Sequence, residues 1–391
     1  MTATPVADVR RPPKSLLATL LGVSTMTIMA SATITPALPG MERHFAGEPH
    51  AQLLVRLVLT LPGLLIMISA PLLARLSGRT GRVPVLVACL ALYTVGGGSG
   101  LVLDSLSGLL VGRALLGVGI AGIMTTSTAL LADHHPVGEH GRVLCLQGAA
   151  MGFGGVVALL MGGVLAAGSW RGPFAVYLLA VPLLVLVLRF VPEAAVRPEE
   201  GVTGGTPWQR RSLGLYALVF LGVVAFYTVP TQAPFWLAEV GGAGPAVAGA
   251  LIAAVNLVMT LVGLNYRRLR ARWDFPVLAT GMFAALAVGL LLIGSAGTLW
   301  VAGLGMVVVG IGIGLQNPTL NGWLVASVSP GARTRALGLL TSALFLGQFS
   351  SPLIAQPVID AVGLGTTFVL AGVLAAVVAA ALVVTCPPRR R

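Results

Sequence analysis

Residues 70–86 read APLLARLSGRTGRVPVL, with Arg75, Arg79 and Arg82 set between two apolar runs, Gly78 and Gly81 among them, and no acidic residue. The flanking runs belong to a chain of 391 residues that is 56% hydrophobic and only 9% charged. Its mean hydropathy is +0.94. Soluble domains carry about 25% charged residues. A chain this apolar has too little polar surface to face water, so its solvent is lipid, and the arginine-rich stretch is a connection between two membrane spans. Glycines in such a connection let two span ends turn tightly and approach closely.

The same pattern extends along the whole chain. A span needs roughly 20 apolar residues to cross about 30 Å of hydrocarbon. Apolar segments fall near 16–38, 52–74, 84–103, 107–132, 144–167, 173–192, 213–237, 245–266, 276–295, 298–326, 335–358 and 364–386. The basic residues orient them. With the N-terminus in the cytoplasm, that side collects Arg10, Arg11, Lys14, Arg75, Arg79, Arg82, Arg142, Arg197, Arg210, Arg211, Arg267, Arg268, Arg270, Arg272, Arg333, Arg335 and Arg389 to Arg391. The opposite loops keep Arg43 and Arg171. This asymmetry predicts both chain ends on the cytoplasmic side. The formal net charge of +12 is therefore a topology signal. The arginines are scattered between apolar runs and form no basic face for nucleic acid.

A polar stretch near 193–212, rich in Pro, Gly and mixed charge, has linker composition. It divides the chain into a cytoplasmic tail (1–15), a six-helix bundle (16–192), a cytoplasmic linker (193–212), a second six-helix bundle (213–386) and a basic tail (387–391). The halves echo each other. LLGVGIAG at 115–122 resembles VVGIGIGL at 308–315, and the arginines of 75–82 have a counterpart in RRLRAR at 267–272. Tandem bundles of this kind are a common build of secondary transporters.

Four local patterns carry a family resemblance. ARLSGRTGRVPVL (74–86) is similar to the second-to-third-span loop signature of the major facilitator superfamily, through Leu76, Arg79, Gly81, Arg82 and Leu86. Ala74, Gly78 and Val83 depart from it, Gly78 by standing where the family has an aspartate. LLVGRALLGVGIAG (109–122) resembles the fourth-span motif through Leu109, Arg113, Gly117 and Gly119. GGVVALLMGGVL (154–165) resembles the fifth-span antiporter motif, with Ala158-Leu159 where the family has Gly-Pro, and SWRGPF (169–174) resembles the opening of the sixth span. The resemblance implies an all-α integral membrane fold of twelve transmembrane helices in two six-helix bundles, closest to the drug and metabolite efflux branch. It implies no cofactor, a small-molecule substrate, coupling to protons, and a monomer in a bacterial cytoplasmic (inner) membrane.

Polar and charged side chains within spans are the candidates for function, because each buried charge costs about 2.5–3.5 kcal/mol on insertion scales. Arg113 lies about 9 Å below the outer end of its span and is expected to face the central cavity. Arg56, nearer the outer end of the second span, is either a binding group or an interfacial anchor. The remaining expected substrate contacts are Thr27, Ser31, Tyr227, Gln232, Asn256, Gln316, Asn317 and Gln348. Gln316-Asn317-Pro318 reads as a helix break lining a water-filled path. Arg75, Arg79, Gly81, Arg82 and Asp133 form an expected conformational latch, in which Arg79 or Arg82 pairs with Asp133 and releases it when that end opens.

None of the twelve acidic residues falls in the middle of a span. That disfavours a polycation and favours a neutral, zwitterionic or anionic solute. It leaves Glu42 and Glu239, near outer span ends, as candidates for proton coupling. DHHPVGEH (133–140) contains possible metal ligands, but Pro136 and Gly138 mark it as a loop, and no metal is expected. A membrane enzyme would need clustered His, Asp, Glu or Cys at one depth, or a phosphate loop, and the spans offer neither. The expected activity is proton-coupled efflux by alternating access. Uptake of an organic anion drawn by Arg113, and a non-transporting membrane sensor, are the alternatives.

Overall fold

A computed structural model describes residues 13–193 and 210–386 of the chain. The basic tails, most of the 193–212 linker and the side chains of Arg210 and Arg211 lie outside the described residues. Twelve helices among the described residues are long and apolar enough to cross a membrane. They are α1 (Lys14–His44), α2 (Ala51–Thr80), α3 (Arg82–Leu101), α4 (Leu106–Asp133), α5 (His140–Gly168), α6 (Gly172–Phe190), α7 (Ser212–Gly241), α8 (Pro245–Arg272), α9 (Phe275–Gly294), α10 (Leu299–Ser327), α11 (Pro330–Val362) and α12 (Leu364–Thr385). Helices are the required solution because lipid offers backbone N–H and C=O groups no partner. The chain is an integral membrane protein with the two-bundle architecture expected from its sequence.

Twelve successive crossings put residues 14, 80–82, 133–140, 190, 212, 272–275, 327–330 and 385 at one end of the bundle. This is the basic end. Here α2 runs past the last fully apolar turn, so Arg75 and Arg79 are exposed. At the far end, connections are short and one is stopped by Gly363, whose φ of 82° suits a residue without Cβ between α11 and α12.

The sequence echo between 115–122 and 308–315 is a structural echo. A Cβ at Gly117 of α4 would stand 2.8 Å from the Pro62 carbonyl oxygen on α2, and one at Gly310 of α10 would stand 2.8 Å from the Val255 carbonyl oxygen on α8. Two residues on, Gly119 faces α3 (Cys89 O at 2.9 Å) and Gly312 faces α9 (Met282 O at 2.8 Å). In lipid there is no hydrophobic drive between helices. Close backbone approach through small residues supplies the packing energy instead. The Gly-x-Gly spacing thus locks α4 to α2 and α3, and α10 to α8 and α9, in the same way in each half.

The two halves meet along α5–α8 and α2–α11. On α5, a Cβ at Gly163 would stand 2.9 Å from Pro245 O, one at Gly155 would lie near Asn256, and one at Gly152 would stand 2.3 Å from Thr260 Oγ1. Toward the basic end this contact stops: among the described residues, a Cβ at Gly148 or Gly263 would meet nothing within 4 Å. On the other side, Gly63 of α2 packs on Gln348 of α11 at mid-depth, with 3.0 Å from an added Cβ to Cδ. Nearer the basic end, Ala74 and Gly78 lie along the same face of α2 and are exposed, and among the described residues a Cβ at Gly78 would meet nothing within 4 Å. The halves close on each other at the far end and part toward the basic end.

Candidate functional site

The far-end closure is polar and is centred on Arg56. Its guanidinium is only 3% exposed. One Nη1 hydrogen donates to Glu42 Oε2 of α1 at 2.7 Å, and Nη1 also donates to the Gln52 carbonyl oxygen at 2.7 Å. Nε donates across the seam to Gln232 Oε1 of α7 at 2.7 Å, and the guanidinium carbon lies 4.3 Å from the centroid of the Phe235 ring. Beside it, Gln356 of α11 donates to Gln52 Oε1 at 3.1 Å and to Asp360 Oδ1 at 2.7 Å. The reading of Arg56 as a membrane-surface anchor is therefore replaced by one in which it is a buried cation joining the two halves. Helix α2 aims it inward because Val55 and Leu59, one on each side in sequence, are buried on the same packed face.

Outside this closure lies an open pocket of about 550 Å³, walled by Glu42, Glu48, His50, Gln52, Gln356 and Asp360. Glu239, on α7, is exposed.

Arg113 does not face the cleft between the halves. It is 1% exposed and lies inside the first six helices. Its Nη1 donates to Tyr177 Oη of α6 at 2.7 Å, and its guanidinium carbon lies 4.9 Å from the Phe174 and Tyr177 ring centroids. The Tyr177 hydroxyl donates in turn to the Ala30 carbonyl oxygen of α1. Arg113 Nη2 has no partner. Its contacts are one hydroxyl and two aromatic faces, all within the first half, so the expectation that Arg113 lines the central cavity is corrected to a tie between α4, α6 and α1.

Of the expected latch residues, Arg82 and Asp133 are brought together while Arg75 and Arg79 are exposed on α2, and the consequence differs from the one expected. Arg82 Nη1 donates to Asp133 Oδ2, which ties the start of α3 to the end of α4. Both belong to the first half, and the pair is intact although the basic end is parted. In this state it braces one half. Glu193, which the sequence reading left in the linker, completes the brace: its carboxylate accepts from the backbone N–H of Arg82 at 2.7 Å and of Val83 at 3.0 Å. A carboxylate at a helix N-terminus satisfies otherwise unpartnered N–H groups and faces the positive end of the helix dipole. It stands against Gly81, whose φ of 98° and nearness to Glu193 (3.0 Å from an added Cβ) both favour glycine. Gly78 leaves the loop without the family's aspartate, and Glu193 supplies a carboxylate from just past the end of α6 instead.

The other expected contacts divide by depth. Gln348 is 5% exposed and packs against Gly63, while Gln232 is held by Arg56. Asn256 and Tyr227 are half-buried, and Tyr227 stacks edge-on against Phe226 at 5.4 Å. Thr27 and Ser31 are half-buried on α1 but bond to their own helix, at Ser24 O and Ile28 O. The helix break expected at Gln316-Asn317-Pro318 is absent. Residues 299–327 form one helix through Pro318. Gln316 is 2% exposed beside Gly222 of α7, with its Oε1 unpartnered, and Asn317 is exposed. A proline inside a membrane helix is tolerated because neighbours take up the freed carbonyls.

Sequence reasoning missed one buried polar cluster. Gln147 of α5 donates to Ser24 Oγ of α1 at 2.9 Å and to Thr128 Oγ1 of α4 at 3.1 Å, and Ser24 donates to Ser127 Oγ at 3.3 Å. Gln147 stands seven residues into α5, where an amide reads as interfacial, and only the packing of α1 over it reveals the burial. In the 133–140 loop, His134, His135 and His140 each bond a backbone carbonyl.

This geometry agrees with what the chain resembles. It is 24% identical over 364 residues to the class H tetracycline resistance protein of Pasteurella multocida, covering 87% of this chain and 88% of that one. It is 26% identical over 394 residues to the class C tetracycline resistance protein of Escherichia coli, covering 96% of each. Its fold matches the inward-open xylose transporter XylE from E. coli with a TM-score of 0.75, at 15% identity over 96% of each chain. The Major Facilitator Superfamily sequence model matches residues 20–352, and with two six-helix halves closed at one end and parted at the other, the chain belongs to that superfamily of membrane transporters.

Proposed function

We propose that the protein exports a neutral, zwitterionic or anionic amphipathic compound, in exchange for protons, across a bacterial cytoplasmic membrane. In this reading the basic end faces the cytoplasm, both chain termini lie there, the protein works as a monomer, and the state described is open to the cytoplasm. The observation that carries the reading is the asymmetric seam. The halves are closed over Arg56 and Gln232 at the far end and separated beyond Gly148 and Gly263 at the basic end. In this reading a solute entering from the basic end reaches the half-buried Asn256 and Tyr227 and the exposed Asn317, while Gln348 and Gln316 are buried and become available only as the helices around them move. These are amides, a phenol and aromatic surface, suited to a compound with few formal charges. The caged position of Arg113 supports export of such a compound over uptake of an anion drawn by that arginine. Glu42, and the exposed Glu239 further along the mouth, are the proton-handling candidates. The resistance-protein relatives make tetracycline the first compound to assay.

The test is flux in reconstituted vesicles with a pH gradient imposed in either direction. Outward pumping of tetracycline or another amphipathic solute, driven by an acidic far side and abolished by collapsing the gradient, is the expected result. Flux that follows only the solute's own gradient removes proton coupling, and saturable binding without flux leaves a sensor.

A further inference from the structure

We infer that the far-end seam is a proton-operated gate in which Glu42 takes up the proton and the buried charge of Arg56 responds. The inference deepens the export reading, since it rests on the two halves rocking about the same seam. Its physical basis is a division of exposure. Arg56 is 3% exposed, whereas Glu42 is 22% exposed and forms part of the open pocket outside the closure. A proton from the far side therefore reaches the carboxylate without the gate opening, while the cation that depends on that carboxylate is sealed between the halves.

Every element around Arg56 contributes to its environment. Helix α1 supplies Glu42, the α1–α2 connection supplies Glu48 and His50 to the pocket wall, and α2 supplies Gln52. Helix α7 supplies Gln232 and Phe235, and α11 supplies Gln356 and Asp360. With Glu42 ionised, the guanidinium has a contacting counter-charge. With Glu42 protonated, no carboxylate contacts it. Asp360 still acts on it electrostatically, but its Oδ1 is engaged by Gln356. Gln232 and the Phe235 ring offer a dipole and a quadrupole, which do not replace a charge in a dry seam. Removing one partner of a buried pair leaves an uncompensated ion, the costliest outcome for such a contact. Opening the far end returns Arg56 to water.

The closed seam already holds little in reserve. Gln232 Nε2 and Gln356 Oε1 are both buried without a partner, one on each of the second-half helices that close the gate. Water admitted by opening satisfies both. The closed state is thus held by the Glu42–Arg56 charge balance against two unmet hydrogen bonds, and one proton tips it.

The experiment reads the gate directly and needs no flux. Full-length protein carrying Cys145→Ser and Cys386→Ser is spin-labelled at Pro49→Cys and Ala238→Cys, exposed positions on opposite sides of the far mouth. In nanodiscs, inter-label distances are measured at about pH 8 and about pH 4, the lower value just below that of an ordinary glutamate. The expected result is a rise of about threefold in the far-open to far-closed ratio on acidification, the linkage expected of one carboxylate that is free in the open state and ion-paired in the closed one. Glu42→Gln opens the gate at both pH values and loses the response. Glu42→Gln combined with Arg56→Gln, which removes both charges and keeps a donor for Gln232, closes it again. His50→Asn keeps the wild-type response. The proposal is overturned if Glu42→Gln stays closed with its pH response intact, if the double variant stays open, or if His50→Asn abolishes the response. A protein that gates as described yet moves no solute refutes the export reading and leaves the gate standing.

Discussion

Deleting the single hydroxyl of Tyr177 should destabilise the protein more than deleting the whole charge of Arg113. The hydroxyl accepts from Arg113 Nη1 at 2.7 Å. Arg113 Nη2 already lacks a partner, and the residue is 1% exposed. Tyr177→Phe keeps the ring, and with it the contact at 4.9 Å, but leaves a sealed guanidinium with no acceptor. Stranding a buried charge costs about 3–5 kcal/mol, of which the two aromatic faces return about 0.5–2. Arg113→Met removes the ion and fills similar space. Tyr177 can still donate to the Ala30 carbonyl oxygen, so nothing buried is stranded. The loss is one charge-assisted hydrogen bond, about 1.5–3 kcal/mol, offset by the desolvation that the arginine no longer suffers. The order of stability is therefore wild type, Arg113→Met, then Tyr177→Phe, with the double variant close to Arg113→Met alone. Thermal unfolding in detergent, followed for all four proteins, gives the cycle. Solute affinity should stay within about threefold of wild type in Arg113→Met, because that residue touches no cleft. A Tyr177→Phe protein as stable as wild type, or an Arg113→Met protein of normal stability with affinity reduced about tenfold or more, refutes the caged-arginine account.

Three further outcomes follow from the packing and the loops. Gly312→Ala forces α9 and α10 apart, because its Cβ would stand 2.8 Å from Met282 O, whereas Gly263→Ala meets nothing within 4 Å; unfolding should show a loss of about 1–3 kcal/mol for the first and none for the second. Asp133→Arg should destabilise the first half by setting two cations together, and pairing it with Arg82→Asp should restore stability, while far-end distances stay unchanged throughout because the pair lies within one half. His44, which bonds the Asp104 carboxylate at 2.7 Å, and then Arg171, hold that group below the usual carboxylate range. A depressed folded-state value means its stabilisation is present above the ordinary carboxylate range and is lost as pH falls through the folded value. The melting temperatures of wild type and Asp104→Asn should therefore differ at neutral pH and converge in acid, and a constant difference would remove the linkage.

The sequence was a good guide where a single residue type answers a single physical demand. Lipid demands apolar runs of spanning length, and the twelve helices fall on them. Backbone contact demands glycine, and the 115–122 and 308–315 echo, legible in sequence as a repeat, turns out to carry the α4 and α10 contacts. Side-chain direction was less legible. Arg113 and Arg56 are both arginines a few turns from the same membrane face. What separates them is which neighbour the helix turns toward: the Phe174 and Tyr177 rings for one, Gln232 of the opposite half for the other. That is fixed by helix rotation within the bundle, which a near-uniform apolar surface does not encode. Pro318 misled for a related reason, since a proline breaks a helix only where its neighbours leave the carbonyl it displaces exposed. Glu193 was hidden by position: a carboxylate at the edge of a linker reads as solvated until the turn at Gly81 is seen to bring the start of α3 against it.

The glycine-lined track between α5 and α8 bears on how the halves change places. Interlocking side chains give a helix interface teeth, and sliding past them requires each tooth to be lifted from its socket. Gly163 presents bare backbone to the backbone of α8, Gly152 takes only the short Thr260 side chain, and Gly155, packed chiefly on Ile28 of α1, leaves Asn256 at its edge. Such a surface works as a plain bearing, on which one helix can roll along the other while keeping van der Waals contact at a moving line. Friction of this kind is nearly uniform along the stroke. The energy barrier to the swing then lies at its two rims, and substitutions there should govern turnover more strongly than substitutions along the track that keep it smooth.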